Sequence, residues 1–118
     1  MTDHEFGLTE EMFERGRLLL EECAQSSREI TYQELSQEIP GLGLRGDKMN
    51  RFLATLSRRS CDERGVLITV LVVGKGSRLP GAGFFELLVE LKPDAGDGEP
   101  KLLATRERNR VFAAYAHA

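Results

Sequence analysis

Val66-Leu-Ile-Thr-Val-Leu-Val-Val73, Gly74-Lys-Gly-Ser-Arg-Leu-Pro-Gly-Ala-Gly83 and Phe84-Phe-Glu-Leu-Leu-Val-Glu-Leu91 follow one another directly, and how these three stretches are read decides the fold. The first is an almost unbroken apolar run rich in β-branched residues, which favour strands. The second carries four glycines and a proline, which end strands and admit left-handed backbone. In the third, Phe85, Leu87, Val89 and Leu91 alternate with Glu86 and Glu90, the period-two pattern of a half-buried strand. The expectation is a β-hairpin with a long basic tip from Gly74 to Gly83.

Upstream, Thr9 is placed to cap a first helix over about Thr9 to Gln25. Glu10 and Glu11 complement its dipole, and Met12, Gly16, Leu19, Leu20 and Cys23 recur at helical spacing. Ile30 begins a short extended entry. Thr31 and Glu34 then have the spacing of a capping box for a short helix from about Tyr32 to Glu38, stopped by Pro40-Gly41. From Asp47, Met49, Phe52, Leu53 and Leu56 form an apolar stripe, with Lys48, Arg51, Thr55, Arg58 and Arg59 opposite. Downstream, Pro93 to Pro100 is a polar, glycine-rich connector expected to be mobile. Lys101 to about Tyr115 has the composition of a C-terminal helix that docks on the first.

The chain has 118 residues, 41 % hydrophobic and 30 % charged, consistent with one domain spanning 1–118 that buries a core unaided. No apolar run approaches the roughly 20 residues of a bilayer span, and no secretory leader precedes the first helix, so no membrane and a cytoplasmic location are expected. Cys23 and Cys61 are far apart, and His4 and His117 sit at the chain ends, so neither a metal nor a cofactor is expected. Gly41-Leu-Gly-Leu-Arg-Gly46 has dinucleotide-fingerprint spacing but follows a helix rather than a strand, so it is read as a turn. The net charge is −3 and is polarised. Residues 1–44 carry ten acidic and three basic side chains, residues 45–78 three acidic and eight basic, and residues 79–118 six acidic and five basic. A basic segment within an acidic chain points to phosphate or to an acidic partner.

Helix, short strand, helix, turn, basic helix and hairpin together make an α+β winged helix-turn-helix: three helices plus a β-hairpin wing, with an added C-terminal helix. In that architecture the third helix enters the major groove and the wing touches the backbone or minor groove. Lys75 and Arg78, at the hairpin tip, suit phosphate contact.

Ile30-Thr-Tyr-Gln-Glu-Leu35 resembles the opening of the helix-turn-helix in the DNA-binding domain of alkylguanine DNA alkyltransferases and alkyltransferase-like proteins, over roughly Ile30 to Phe84. The resemblance implies that Tyr32 contacts a DNA phosphate. Arg45, Lys48 and Arg51 all stand near the position of that family's arginine finger. The family's Pro-Cys-His-Arg motif would fall near Leu67 to Gly74, where nothing matches it, so the resemblance implies no alkyl transfer. Leu79-Pro-Gly-Ala-Gly-Phe-Phe85 is also similar to a group of small bacterial and phage-borne proteins.

Two enzymatic patterns are incomplete. Glu90-Leu91-Lys92 matches half of a magnesium-dependent nuclease site, but Val66 to Val73 supplies no partner carboxylate. Gly74-Lys-Gly-Ser77 lacks the full phosphate-loop spacing. The expectation is therefore not an enzyme. It is a non-catalytic DNA-binding protein, a regulator or accessory factor, contacting duplex DNA through Tyr32, Arg45, Lys48, Arg51, Thr55, Arg58, Arg59, Lys75 and Arg78. The alternative is a protein-interaction module, such as an adaptor, an immunity-type partner or a complex subunit. Homodimerisation is compatible with either.

Overall fold

The structure is a computed structural model, and it describes residues 7–44, 46–95 and 98–116. Helix α1 spans Glu10–Gln25, with the Thr9 hydroxyl accepting the Met12 N–H at 3.1 Å. Its inner face carries Phe13, Gly16, Leu20 and Cys23. Phe13 stacks on Phe52 of α3 (Asp47–Arg64) with ring centroids 5.4 Å apart. Gly16 is what allows that approach, because a Cβ there would lie 2.5 Å from the Phe52 ring.

Strand β1 is only Ile30–Thr31, and α2 follows at Tyr32–Glu38. The capping box is complete: the Thr31 hydroxyl accepts the Glu34 N–H at 3.1 Å, and the Glu34 carboxylate accepts the Thr31 N–H at 3.0 Å. The glycine-rich segment after Pro40 forms the turn into α3, and α3 ends at Gly65 in the left-handed conformation, φ 71°.

Val66 to Val73 is buried throughout and crosses the centre of the molecule, but mostly not as a strand. Ile68–Leu71 coil into a single 3₁₀ turn, and only Val72–Val73 form β2, parallel to β1 with Ile30 opposite Val72. A buried segment without a ladder must find other partners for its backbone. Here side chains supply them: the Glu107 carboxylate accepts the Leu67 N–H at 2.8 Å, and the Ser60 hydroxyl accepts the Ile68 N–H at 3.0 Å. Ser57 and Thr69 share a buried hydroxyl–hydroxyl bond beside them.

The hairpin is overturned at its second arm. Ala82–Leu91 is helix α4, and among the described residues the only sheet is the two-stranded parallel pair. The chain is therefore predominantly helical and is not a winged helix-turn-helix. Phe84, Leu87, Leu88 and Leu91 lie at i, i+3, i+4 and i+7, so the same residues that alternate also form a helical stripe. Burial decides between the two patterns: Phe84, Leu87 and Leu88 are buried, whereas Val89 is 51 % exposed.

Pro93–Ala95 form a short 3₁₀ turn, and part of the connector expected to be mobile lies outside the described residues. Helix α5, Pro100–Tyr115, packs on α1 and on the central run. It brings Glu107, fully buried, to Lys92 Nζ at 2.9 and 3.2 Å and to Arg110 at 3.2 Å. No helix among the described residues is long and apolar enough to cross a membrane.

Candidate functional site

The loop between β2 and α4 is a compact turn. The Gly74 N–H donates to the Leu79 carbonyl and the Arg78 N–H to the Gly74 carbonyl, both at 2.9 Å. Its far end is fixed to α2, because the Gly81 N–H donates to the Tyr32 hydroxyl at 2.7 Å. That places the start of α2, the start of α3 and both ends of the loop around one cleft of about 420 Å³.

Leu44, Met49 and the Tyr32 ring supply apolar lining to this cleft, Thr31, Gln33 and Asn50 supply hydrogen-bonding groups, and Lys75 supplies the positive charge. No carboxylate, imidazole or thiol is among the described residues lining it. The Tyr32 oxygen accepts from Gly81 and still carries a proton that it can donate.

A second groove, of about 510 Å³, shares Tyr32, Asn50 and Gly81 with the first and runs between α3 and α4 past Arg58 to Glu90. Ala82 and Gly83 open α4 along it, and Gly81 provides no side-chain cap for their amides. Arg58 and Glu90 pair across it at 2.5 Å. The hydrogen bond from Arg58 holds the Glu90 carboxyl below its usual range, and the same bond raises Arg58.

The residues expected to contact DNA therefore divide. Tyr32 and Lys75 line the same cleft, and Arg58 lies on the adjoining groove. Arg59 turns away to α1, where it pairs with Glu10 at 2.8 and 3.1 Å and stacks over Phe13 at 4.7 Å. Lys48 is half-buried beside Gly7, and Arg51 and Thr55 are half-buried on α3. Arg78 leaves the other side of the loop toward Glu29, at 3.4 Å. Arg45 lies outside the described residues. The outer side of α3 is thus not one free basic face, since at least Arg58 and Arg59 are neutralised by acids of neighbouring helices.

Sequence reasoning missed Asn50, Gln33, Met49, Leu44 and Gly81. Met49 reads as part of the core stripe, and Gly81 reads as one more turn glycine. The role of Gly81 follows only from the long-range bond to Tyr32.

Among the described residues no group of three or more His, Cys, Asp or Glu is arranged to hold a metal ion. No protein-family model matches the chain, and neither a curated protein nor a solved structure is detectably similar to it.

Proposed function

We propose that the chain is a non-catalytic DNA-binding protein, a regulator or accessory factor, that receives duplex DNA across the Tyr32–Lys75 cleft. The observation that carries this reading is the make-up of that cleft. Apolar walls, two amide side chains, a phenolic proton donor and an ammonium group surround the space, with no acidic group among the described lining residues. Amides hydrogen-bond base edges, whereas lysine and tyrosine hydroxyls suit phosphate oxygens. The resemblance of Ile30 to Leu35 to alkyltransferase DNA-binding domains supports the same role for Tyr32.

Fluorescence anisotropy with a labelled duplex over a salt series tests the reading. Binding should be measurable at about 50 mM salt, and Lys75→Gln should reduce the salt slope by about one unit. Arg59→Gln, on the α1 side, should leave the slope unchanged. Absence of duplex binding at low salt would refute the proposal.

One observation favours the alternative, a protein-interaction module. Arg58 and Arg59 already have carboxylate partners, so this part of α3 offers little unspent positive charge. A stoichiometric protein co-purifying with the chain, with no nucleic-acid absorbance, would select that reading.

A further inference from the structure

On the far side of the Gly74–Gly81 loop from the cleft, two adjoining grooves of about 330 and 490 Å³ meet at Glu29, Arg78 and Arg108. Arg28 lines one groove and Lys101 the other, so four cationic side chains surround Glu29, the one carboxylate among the described lining residues. They come from the turn after α1, from the loop and from two turns of α5, so the fold rather than a local charge run assembles them. Glu29 is 16 % exposed and bridges Arg78 and Arg108, each at 3.4 Å. Charge-assisted bonds normally close to about 2.7–2.9 Å. One carboxylate, held at long range by two guanidinium groups, leaves most of their N–H donors and two further cations uncommitted to it.

Backbone geometry fixes where the Arg78 side chain leaves the loop. Arg78 adopts left-handed backbone, φ 57°, in a loop that uses glycine at Gly74, Gly76 and Gly81. A side chain is strained in this conformation where glycine would not be. From there the Arg78 side chain lines both grooves. Turn bonds account for both described left-handed non-glycine residues of this region: the Arg78 N–H donates to the Gly74 carbonyl at 2.9 Å, and beyond Ser27 the Arg28 N–H donates to the Cys23 carbonyl at 3.0 Å.

We propose that this junction of Arg28, Arg78, Lys101 and Arg108 is a binding site for phosphate oxyanions, with Glu29 as the internal counter-ion that holds the guanidinium groups apart until the ligand arrives. Two guanidinium forks and two further cations match a polyphosphate or successive backbone phosphates. The site does not depend on the cleft reading, because it shares no residue with the cleft.

Calorimetric titration of the full chain with inorganic pyrophosphate, and separately with a short oligothymidylate, tests the site and distinguishes the two sources of phosphate. Arg78→Gly removes the guanidinium while relieving the left-handed backbone, so the variant should fold at least as well as the parent. It should weaken the bound ligand about tenfold or more, as should Arg108→Gln. Glu29→Gln should tighten binding, an effect that a purely structural ion pair would not produce. Loss of pyrophosphate binding alone identifies a free phosphate compound as the ligand, and loss of oligonucleotide binding alone identifies a nucleic-acid backbone. Loss of both indicates a site that accepts either. The proposal is overturned if neither ligand binds the parent chain, or if Arg78→Gly and Arg108→Gln leave both affinities unchanged. A Lys75→Gln variant measured alongside reports separately on the cleft.

Discussion

The Gly81 amide donates to the Tyr32 hydroxyl at 2.7 Å across 49 positions of sequence, and this bond joins the start of α4 to the start of α2. A Cβ at Gly81 would lie 3.0 Å from that hydroxyl, while φ −71° and ψ 172° suit any residue. Gly81→Ala should therefore act locally: the Tyr32 side chain shifts, DNA affinity falls several-fold, and the melting temperature changes little. Tyr32→Phe should lower affinity similarly, because the proton donor is gone while the ring remains. Anisotropy and thermal melts on the same samples check both variants. Unchanged DNA affinity in both would remove Tyr32 from the site.

Glu107 joins three elements: it accepts the Leu67 amide, Lys92 and Arg110 while fully buried. Glu107→Ala leaves the Leu67 N–H without its acceptor and Lys92, only 20 % exposed, without its counter-ion. The loss should be about 3 kcal/mol or more. Glu107→Gln keeps an acceptor for Leu67 and should be less destabilising. Urea denaturation midpoints order the three proteins, and an alanine variant as stable as the parent would contradict the network.

Leu88 and Val89 separate the two readings of Phe84 to Leu91. A strand would turn Val89 inward and Leu88 outward, whereas in α4 Leu88 is 1 % exposed and Val89 is 51 % exposed. Leu88→Ala should destabilise by about 2–5 kcal/mol. Val89→Ala should stay within about 0.5 kcal/mol, alanine being the better helix former. Reversal of that order in chemical denaturation would restore the strand.

Much of the amino-terminal half was legible because its signals are local. Thr9 and the Thr31–Glu34 box determine helix starts by bonds within one turn, and the Met49–Phe52–Leu56 stripe marks one face of α3. The hairpin misled because an almost wholly apolar run has no period, and because Phe85, Leu87, Val89 and Leu91 satisfy a two-residue period while Phe84, Leu87, Leu88 and Leu91 satisfy a helical one. What holds Val66 to Leu71 in place is non-local: Glu107 lies 40 residues from the amide it accepts. The candidate sites were hidden for the same reason. Arg58 and Arg59 look alike in sequence, yet Glu90 and Glu10, on different helices, draw them to different sides.

The Thr31–Glu34 box also makes an acid-side prediction. The hydrogen bond from the Thr31 N–H, followed by the Thr31 hydroxyl contact, lowers the Glu34 carboxyl from its ordinary value of 4.5. Arg59 lowers Glu10 and Arg58 lowers Glu90 through their own hydrogen bonds. A depressed folded-state value means that the unfolded chain takes up protons first as pH falls, so these contributions are complete above 4.5 and are lost as pH drops through the folded values. Glu34→Gln retains an oxygen to accept the Thr31 N–H, so the cap persists without a titrating group. Denaturation midpoints followed from neutral pH to well below 4.5 should fall for the parent, and they should fall less steeply for Glu34→Gln. Parallel curves for the two proteins would mean that the Glu34 carboxylate gains nothing from its charge, and that its bond to Thr31 is no stronger than an amide would make.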